Sequence, residues 1–141
     1  MNAFEKNIRT FNKQLGYEHL ETRHLNRLKP HPDHIVIAGM GGSGLAGEIV
    51  KSSAEELGLT IPVTVWRDYN LPEVRRFSHA RHPLHVFVSF SGNTEETVSG
   101  LLRALKSGGA SRIAVVATGG KLATIARARR LPFIGFRAGD L

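Results

Sequence analysis

The sequence predicts a three-layer α/β/α domain with a five-stranded parallel sheet, and three observations lead there. Short, almost wholly apolar runs recur along the chain, as in strands covered by helices on both faces. Between them lie amphipathic stretches with apolar residues at helical spacing. Two junctions between such segments are rich in glycine and hydroxyl residues, the composition of strand-to-helix turns, where ligands sit in open α/β sheets.

At 141 residues the chain has the size of one domain and can bury roughly two thirds of its unfolded surface. The absence of cysteine excludes disulfides and thiolate metal sites and fits a reducing compartment. No apolar run approaches ~18 residues, and Met1-Asn2-Ala3-Phe4-Glu5-Lys6 has no signal-peptide core. A cytoplasmic location without a membrane partner is therefore expected. The net charge of +7 invites a nucleic-acid reading, but the basic residues are scattered apart from Arg75-Arg76 and Arg127, Arg129 and Arg130. The last three fall in the final turn of a predicted helix, where cations are favoured anyway. No basic stripe is interleaved with aromatics, so no nucleic-acid partner is expected.

Taken in order, residues 1–33 read as an N-terminal helical segment. Phe4, Ile8, Phe11 and Leu15 share one helical face closed by Gly16, and Leu20, His24, Leu25 and Leu28 suggest a second short helix ended by Lys29-Pro30-His31-Pro32. The first buried strand is His34 to Ala38, followed by Gly39-Met40-Gly41-Gly42-Ser43-Gly44 and a helix expected to bury Leu45, Ile49, Val50, Ala54 and Leu57, with Gly58 as its stop. This loop contains Gly39, Gly41 and Gly44 in the register of a dinucleotide fingerprint, and Asp68 follows strand two, Val63 to Trp66, near the place of a ribose-binding acid. A plain alternative is a tight turn that needs glycine for its backbone. Residues 67–83 form a long connection with at most one helical turn. His79, His82 and His85 recur there at three-residue spacing, but no carboxylate or cysteine completes a set, so no metal is expected.

Strand three, Leu84 to Ser89, runs into Phe90-Ser91-Gly92-Asn93-Thr94-Glu95-Glu96-Thr97. Asn93 with Glu96 reads as a capping box opening a helix whose face carries Val98, Leu101, Leu102 and Leu105. Free amides and the positive helix end, with the hydroxyls of Ser89, Ser91 and Thr94 beside them, suit a phosphate. The bland alternative is a capped helix and nothing more. Strand four, Arg112 to Ala117, is followed by Thr118-Gly119-Gly120 and a helix burying Leu122, Ile125 and Ala126, then by a short fifth strand, Pro132 to Phe136. Right-handed crossovers arrange these most simply in the flavodoxin-like order 2-1-3-4-5, which sets the loops after strands one and three side by side.

Four stretches together carry a resemblance: Gly39-Met40-Gly41-Gly42-Ser43-Gly44, Trp66-Arg67-Asp68-Tyr69-Asn70-Leu71-Pro72, Ser89 to Thr97, and Gly119-Gly120-Lys121-Leu122. In these the sequence resembles the SIS (sugar isomerase) phosphosugar-binding family, and within it the N-terminal domain of the bifunctional phosphoglucose/phosphomannose isomerases. The resemblance assigns residues 34–141 to an SIS domain and implies phosphate binding through Gly42, Ser43, Ser89, Ser91 and Thr94. It also carries over an arginine, Arg137, as a catalytic group, in Pro132-Phe133-Ile134-Gly135-Phe136-Arg137-Ala138, which lacks the second proline of the family pattern.

The implied substrates are glucose 6-phosphate, fructose 6-phosphate and mannose 6-phosphate, interconverted through an enediol without metal or organic cofactor. A homodimer, or pairing with a second SIS domain, is implied as well. Such isomerases carry two SIS domains with their acid/base Glu and His in the second, whereas this sequence shows no second repeat. The chain by itself is accordingly expected to bind without isomerising. A noncatalytic phosphosugar sensor and a dinucleotide-binding oxidoreductase domain are the rival readings.

Overall fold

Six strands form one sheet in a computed structural model that describes Glu5, residues 20–73 and residues 80–136. They are β1 (Glu21–Arg23), β2 (His34–Ala38), β3 (Val63–Trp66), β4 (Pro83–Ser89), β5 (Ile113–Ala117) and β6 (Phe133–Gly135). The helices are α1 (Gly41–Ser52), α2 (Glu95–Lys106) and α3 (Gly120–Arg129). Spatial order is β1-β6-β5-β4-β2-β3, in which β3 to β6 and β2 are all parallel. This reproduces the order expected for the five parallel strands and adds one strand at the edge.

That extra strand corrects the reading of a second short helix around Leu20 to Leu28. Residues 21–23 instead pair antiparallel with β6, Glu21 opposite Gly135 and Arg23 opposite Phe133, and only a 3-10 turn, Leu25–Arg27, comes after them. The exposed edge of β6 offers backbone hydrogen bonds that local helical spacing cannot reveal. The Arg23 guanidinium also lies 4.6 Å from the centre of the Phe133 ring, and Arg27 donates to the carbonyl of Arg130 at 2.7 Å. The helix expected on Phe4 to Leu15 lies outside the described residues, as do residues 74–79 of the long connection.

Between the sheet and α2 and α3 lies the main core, with Phe87, Leu101, Ile113, Leu122 and Leu131 fully buried. Each such side chain stabilises the fold by about 1.5–3 kcal/mol. Leu122 and Ala126 are buried on α3 as expected, with Ile125 packed partly against them. On α2, Leu101 is buried but Leu102 is 46% exposed, so the apolar stripe is narrower than its spacing suggested. The larger correction is on α1, where Gly44 and Gly47 face the sheet and Leu45 and Ile49 are each 58% exposed; Leu57, in the turn beyond the helix, is 59% exposed. A Cβ on Gly47 would lie 3.1 Å from Ile37 and 3.2 Å from Val65. The helix approaches the sheet through its glycines, which turns its leucine and isoleucine face outward.

Two histidines make the fold sensitive to acid. His34, 5% exposed, has Nε2 2.8 Å from Thr64 Oγ1. Burial lowers its pKa from the ordinary 6.5, against the opposing charge of Asp33. Burial, and then the proximity of His34, likewise lower His85. Both folded values lie below the unfolded one, so the unfolded chain binds more protons as pH falls under about 6.5, and stability is lost through that window. The urea midpoint is expected to fall between about pH 7.5 and about pH 5.5, with a shallower fall for His85→Leu. Equal slopes for the two proteins would remove His85 from the account.

Candidate functional site

The parallel register sets Ala38 of β2 beside Phe87 of β4, so the chain leaves these two strands side by side. This is where the strand order reverses, with β3 reached in one direction and β5 and β6 in the other. Gly39 donates to the Trp66 carbonyl at 3.0 Å, and a Cβ on it would sit 2.9 Å from the Val88 carbonyl oxygen. Glycine thus lets the first loop run against the end of β4.

The first loop turns into α1 without a side-chain cap. Its first helical bond runs from Gly44 N to Met40 O at 3.1 Å, so the amides of Gly41, Gly42 and Ser43 are left over at the helix start. A Cβ on Gly41 or on Gly42 would meet nothing within 4 Å. Gly44, by contrast, is packed against the Gly39 carbonyl and the Arg67 guanidinium. The glycines of the dinucleotide-like pattern therefore divide into packing positions, Gly39, Gly44 and Gly47, and two that leave open space beside their backbone.

The second loop is held by its own polar groups. Gly92 N donates to Ser89 Oγ at 3.1 Å and to Ser89 O at 3.2 Å, and Ser89 Oγ lies 2.8 Å from Thr94 Oγ1. With its acceptor side occupied by the Gly92 amide, the Ser89 hydroxyl can donate to Thr94, which leaves the Thr94 hydrogen to point elsewhere. Ser89 is 2% exposed, whereas Ser91 is exposed and Thr94 half-buried. Ser91 Oγ accepts from Asn93 N at 3.2 Å and keeps its own hydrogen free to donate. Thr94, not Asn93, is the helix N-cap, and it makes no side-chain cap bond. The first amide tied into the helix is Val98 N, to Thr94 O at 3.0 Å, leaving those of Glu95, Glu96 and Thr97 at the turn.

The expected capping box on Asn93 is not formed. Asn93 Oδ1 instead accepts from Lys121 N at 3.0 Å, and Leu122 N donates to Gly92 O at 2.9 Å, so the turn after β5 buttresses the turn after β4. Gly92, with φ at +70°, and Gly120, with φ at +67°, press backbone on backbone; a Cβ on Gly92 would collide with the Gly119 carbonyl. This explains the pairing of Ser91-Gly92-Asn93 with Gly119-Gly120 in the sequence.

Sequence reasoning missed Tyr69. Its hydroxyl donates to Glu95 Oε2 at 3.3 Å, and Glu96, then Glu95, raise its pKa. Asn70 N donates to Ser99 Oγ at 3.3 Å, so the loop after β3 lies along α2. The signal was present in the Trp66 to Pro72 block, but only the fold shows what it packs on. Asp68, the acid expected near a ribose, accepts the Tyr69 amide at 2.7 Å through one carboxylate oxygen, a local turn bond. Gly42 and Ser43 stand at the start of α1 and Ser89, Ser91 and Thr94 on one turn of the neighbouring strand, while Arg137 lies outside the described residues. Among the described residues no group of His, Asp or Glu could hold a metal ion, and no helix is long and apolar enough to cross a membrane.

No protein-family model matches the chain. Among curated relatives, a bifunctional phosphoglucose/phosphomannose isomerase of Thermoplasma acidophilum is 43% identical over 89 residues, 63% of this chain and 26% of the relative. A D-glucosamine-6-phosphate 4-epimerase of Sulfolobus acidocaldarius is 34% identical over 107 residues, 76% of this chain and 31% of the relative. The chain thus spans about a quarter to a third of the length of these relatives. Among solved structures, the sugar isomerase domain of the RpiR transcription factor from Sphaerobacter thermophilus superposes with a TM-score of 0.56 at 20% identity, covering 95% of this chain and 74% of that one. At that identity the likeness shows the fold.

Proposed function

Because the chain belongs to the SIS (sugar isomerase) domain family, we propose that the turn after β4, with the start of α1 beside it, binds the phosphate of a hexose phosphate. The observation that carries this reading is the coincidence, at one helix start, of leftover amides with the Ser91 and Thr94 hydroxyls. Neutral donors at a helix N-terminus suit a phosphate monoester. In this reading Gly42 and Ser43 close the cradle from the neighbouring loop, and Ser89 orients Thr94. Glucose 6-phosphate, fructose 6-phosphate and mannose 6-phosphate are the proposed ligands, and the relatives' names favour a glucose-6-phosphate/mannose-6-phosphate isomerase, to whose N-terminal SIS domain this chain would correspond. Titration calorimetry with fructose 6-phosphate tests the binding; the absence of saturable heat would sink it.

Catalysis is a separate step. Isomerisation through an enediol needs a base within hydrogen-bond reach of the C1 and C2 protons, a contribution of about a hundred- to ten-thousandfold. Among the described residues, Glu95 and Glu96 stand on the first turn of α2, and Glu95 already accepts from Tyr69. This favours binding without turnover by the chain alone, with Arg137 proposed to stabilise developing negative charge in the complete catalyst. A phosphosugar sensor would share the binding step and would pass the bound state to a partner in place of turnover. A coupled assay on purified chain is expected to match buffer; an ordinary enzymatic rate would make Glu95 or Glu96 the base.

Pairing with a second SIS domain or a second copy is proposed for the outward face of α1. Leu45 and Ile49 are both exposed there, in what we propose is a cytoplasmic protein. Sedimentation equilibrium is expected to show self-association that Leu45→Glu with Ile49→Glu abolishes. A wild-type chain that stays monomeric at high concentration would refute the homodimer.

A further inference from the structure

Far from the hexose phosphate turn, a cavity of about 830 Å³ opens at the amino-terminal ends of the strands. Pro83, on its wall, and Ser89, in the phosphate turn, are opposite ends of β4, about 20 Å apart at the usual rise. The cavity is ringed by Lys29, Arg81, Arg103 and Arg112, with His82 and His85 among its lining residues. Among the described residues of the lining, Glu73 is the one carboxylate. Asp33 lies close by, but its oxygens accept from Arg81 N at 2.7 Å and from His82 N at 2.8 and 2.9 Å, which fixes that corner of the wall.

Four cations against one described carboxylate, Glu73, leave the described lining with an excess of positive charge. The ion pairs of Arg23 with Glu21 and of Arg67 with Glu48 draw on none of these cations. The last carbonyls of α2, which would otherwise attract Arg103, accept instead from Ser107, Gly108 and Gly109 amides. Arg112 is steadied by one bond, from Nη1 to the His82 carbonyl at 3.3 Å. Deeper in the wall, His85 Nε2 is buried without a hydrogen-bond partner. A buried polar atom of that kind calls for an explanation, and a group that enters the cavity supplies one.

We propose that this cavity is a second anion site, which takes a small molecule bearing two or more phosphate groups. Its size is that of a small-ligand pocket, and its four cations carry more charge than one phosphate group, at about −1.5 to −2, neutralises. Guanidinium groups pair with phosphate oxygens two at a time. The site shares no residue with the hexose phosphate turn, so the two proposals stand or fall separately.

The test is calorimetry with inorganic triphosphate on the full chain. Saturable binding is expected, weakened at least tenfold by Arg81→Gln with Arg103→Gln and unchanged by Thr94→Ala. Both arginines are exposed, so the variant should fold, which a thermal melt verifies. Arg127→Gln with Arg129→Gln removes the same charge elsewhere, and an equal loss there would reduce the effect to the general field of the protein and overturn the site. No saturable binding would overturn it, as would loss in Thr94→Ala with retention in the Arg81 and Arg103 variant. Displacement of triphosphate by a short single-stranded oligonucleotide that binds more tightly would mark a nucleic-acid surface instead. Loss of fructose 6-phosphate binding with triphosphate binding intact would refute only the hexose phosphate reading.

Discussion

Thr94→Ala is expected to weaken fructose 6-phosphate binding by about ten- to a hundredfold, the effect of losing one charge-assisted hydrogen bond of roughly 1.5–3 kcal/mol. Thr94 is the better probe of the turn because Ser89 supports it from below. Ser89 Oγ takes the Gly92 amide and lies 2.8 Å from Thr94 Oγ1, and with Ser89 as the donor of that bond the Thr94 hydrogen is left to reach a ligand. Ser91→Ala is expected to fall in the same range, since Ser91 is exposed and accepts only the Asn93 amide. Fold stability should barely move in Ser91→Ala, whereas Thr94→Ala leaves the buried Ser89 hydroxyl without its partner, a cost of about 1–3 kcal/mol. Calorimetry that finds unchanged affinity in both would remove the phosphate from this turn.

Gly92→Ala is expected to destabilise the fold by roughly 2–5 kcal/mol. Left-handed backbone costs an alanine about 1–2 kcal/mol, and the added methyl would strike the Gly119 carbonyl, an overpacking of about 1–3 kcal/mol. Gly42→Ala makes the matched control. A methyl there meets nothing within 4 Å, so stability should hold within about 0.5 kcal/mol while ligand approach to the loop is obstructed. Thermal melts paired with fructose 6-phosphate titrations separate the two cases. A Gly92→Ala protein as stable as wild type would show that the turns after β4 and β5 are not locked together.

The parallel core was legible because its signal is local. Runs such as His34 to Ala38 and Ile113 to Ala117 are apolar on both faces, and that pattern has few other uses in a chain of this length. Right-handed crossovers then leave few strand orders to choose from. The hydroxyl turn was legible for a related reason: Ser89, Ser91, Gly92 and Thr94 lie within six residues of one strand end, so their chemistry is gathered before folding brings anything together.

What the residues left undecided depends on surfaces that meet only in three dimensions. Residues 21–23 become a strand because β6 has an open edge, and nothing in Glu21-Thr22-Arg23 announces that edge. Leu45 and Ile49 read as core by spacing, yet α1 docks through Gly44 and Gly47, because close backbone approach places its larger side chains on the far side. Asn93 reads as a cap and serves instead as the acceptor for Lys121 N, a partner 28 residues away. The basic cavity is assembled from residues 29, 81, 103 and 112, single charges that look scattered along the chain. Sequence by itself determined the five parallel strands, their order and the hydroxyl turn, since each is set by neighbouring residues. Tertiary structure alone decided which face of α1 points outward and which distant charges share a wall, since both depend on how closely separate backbones can pack.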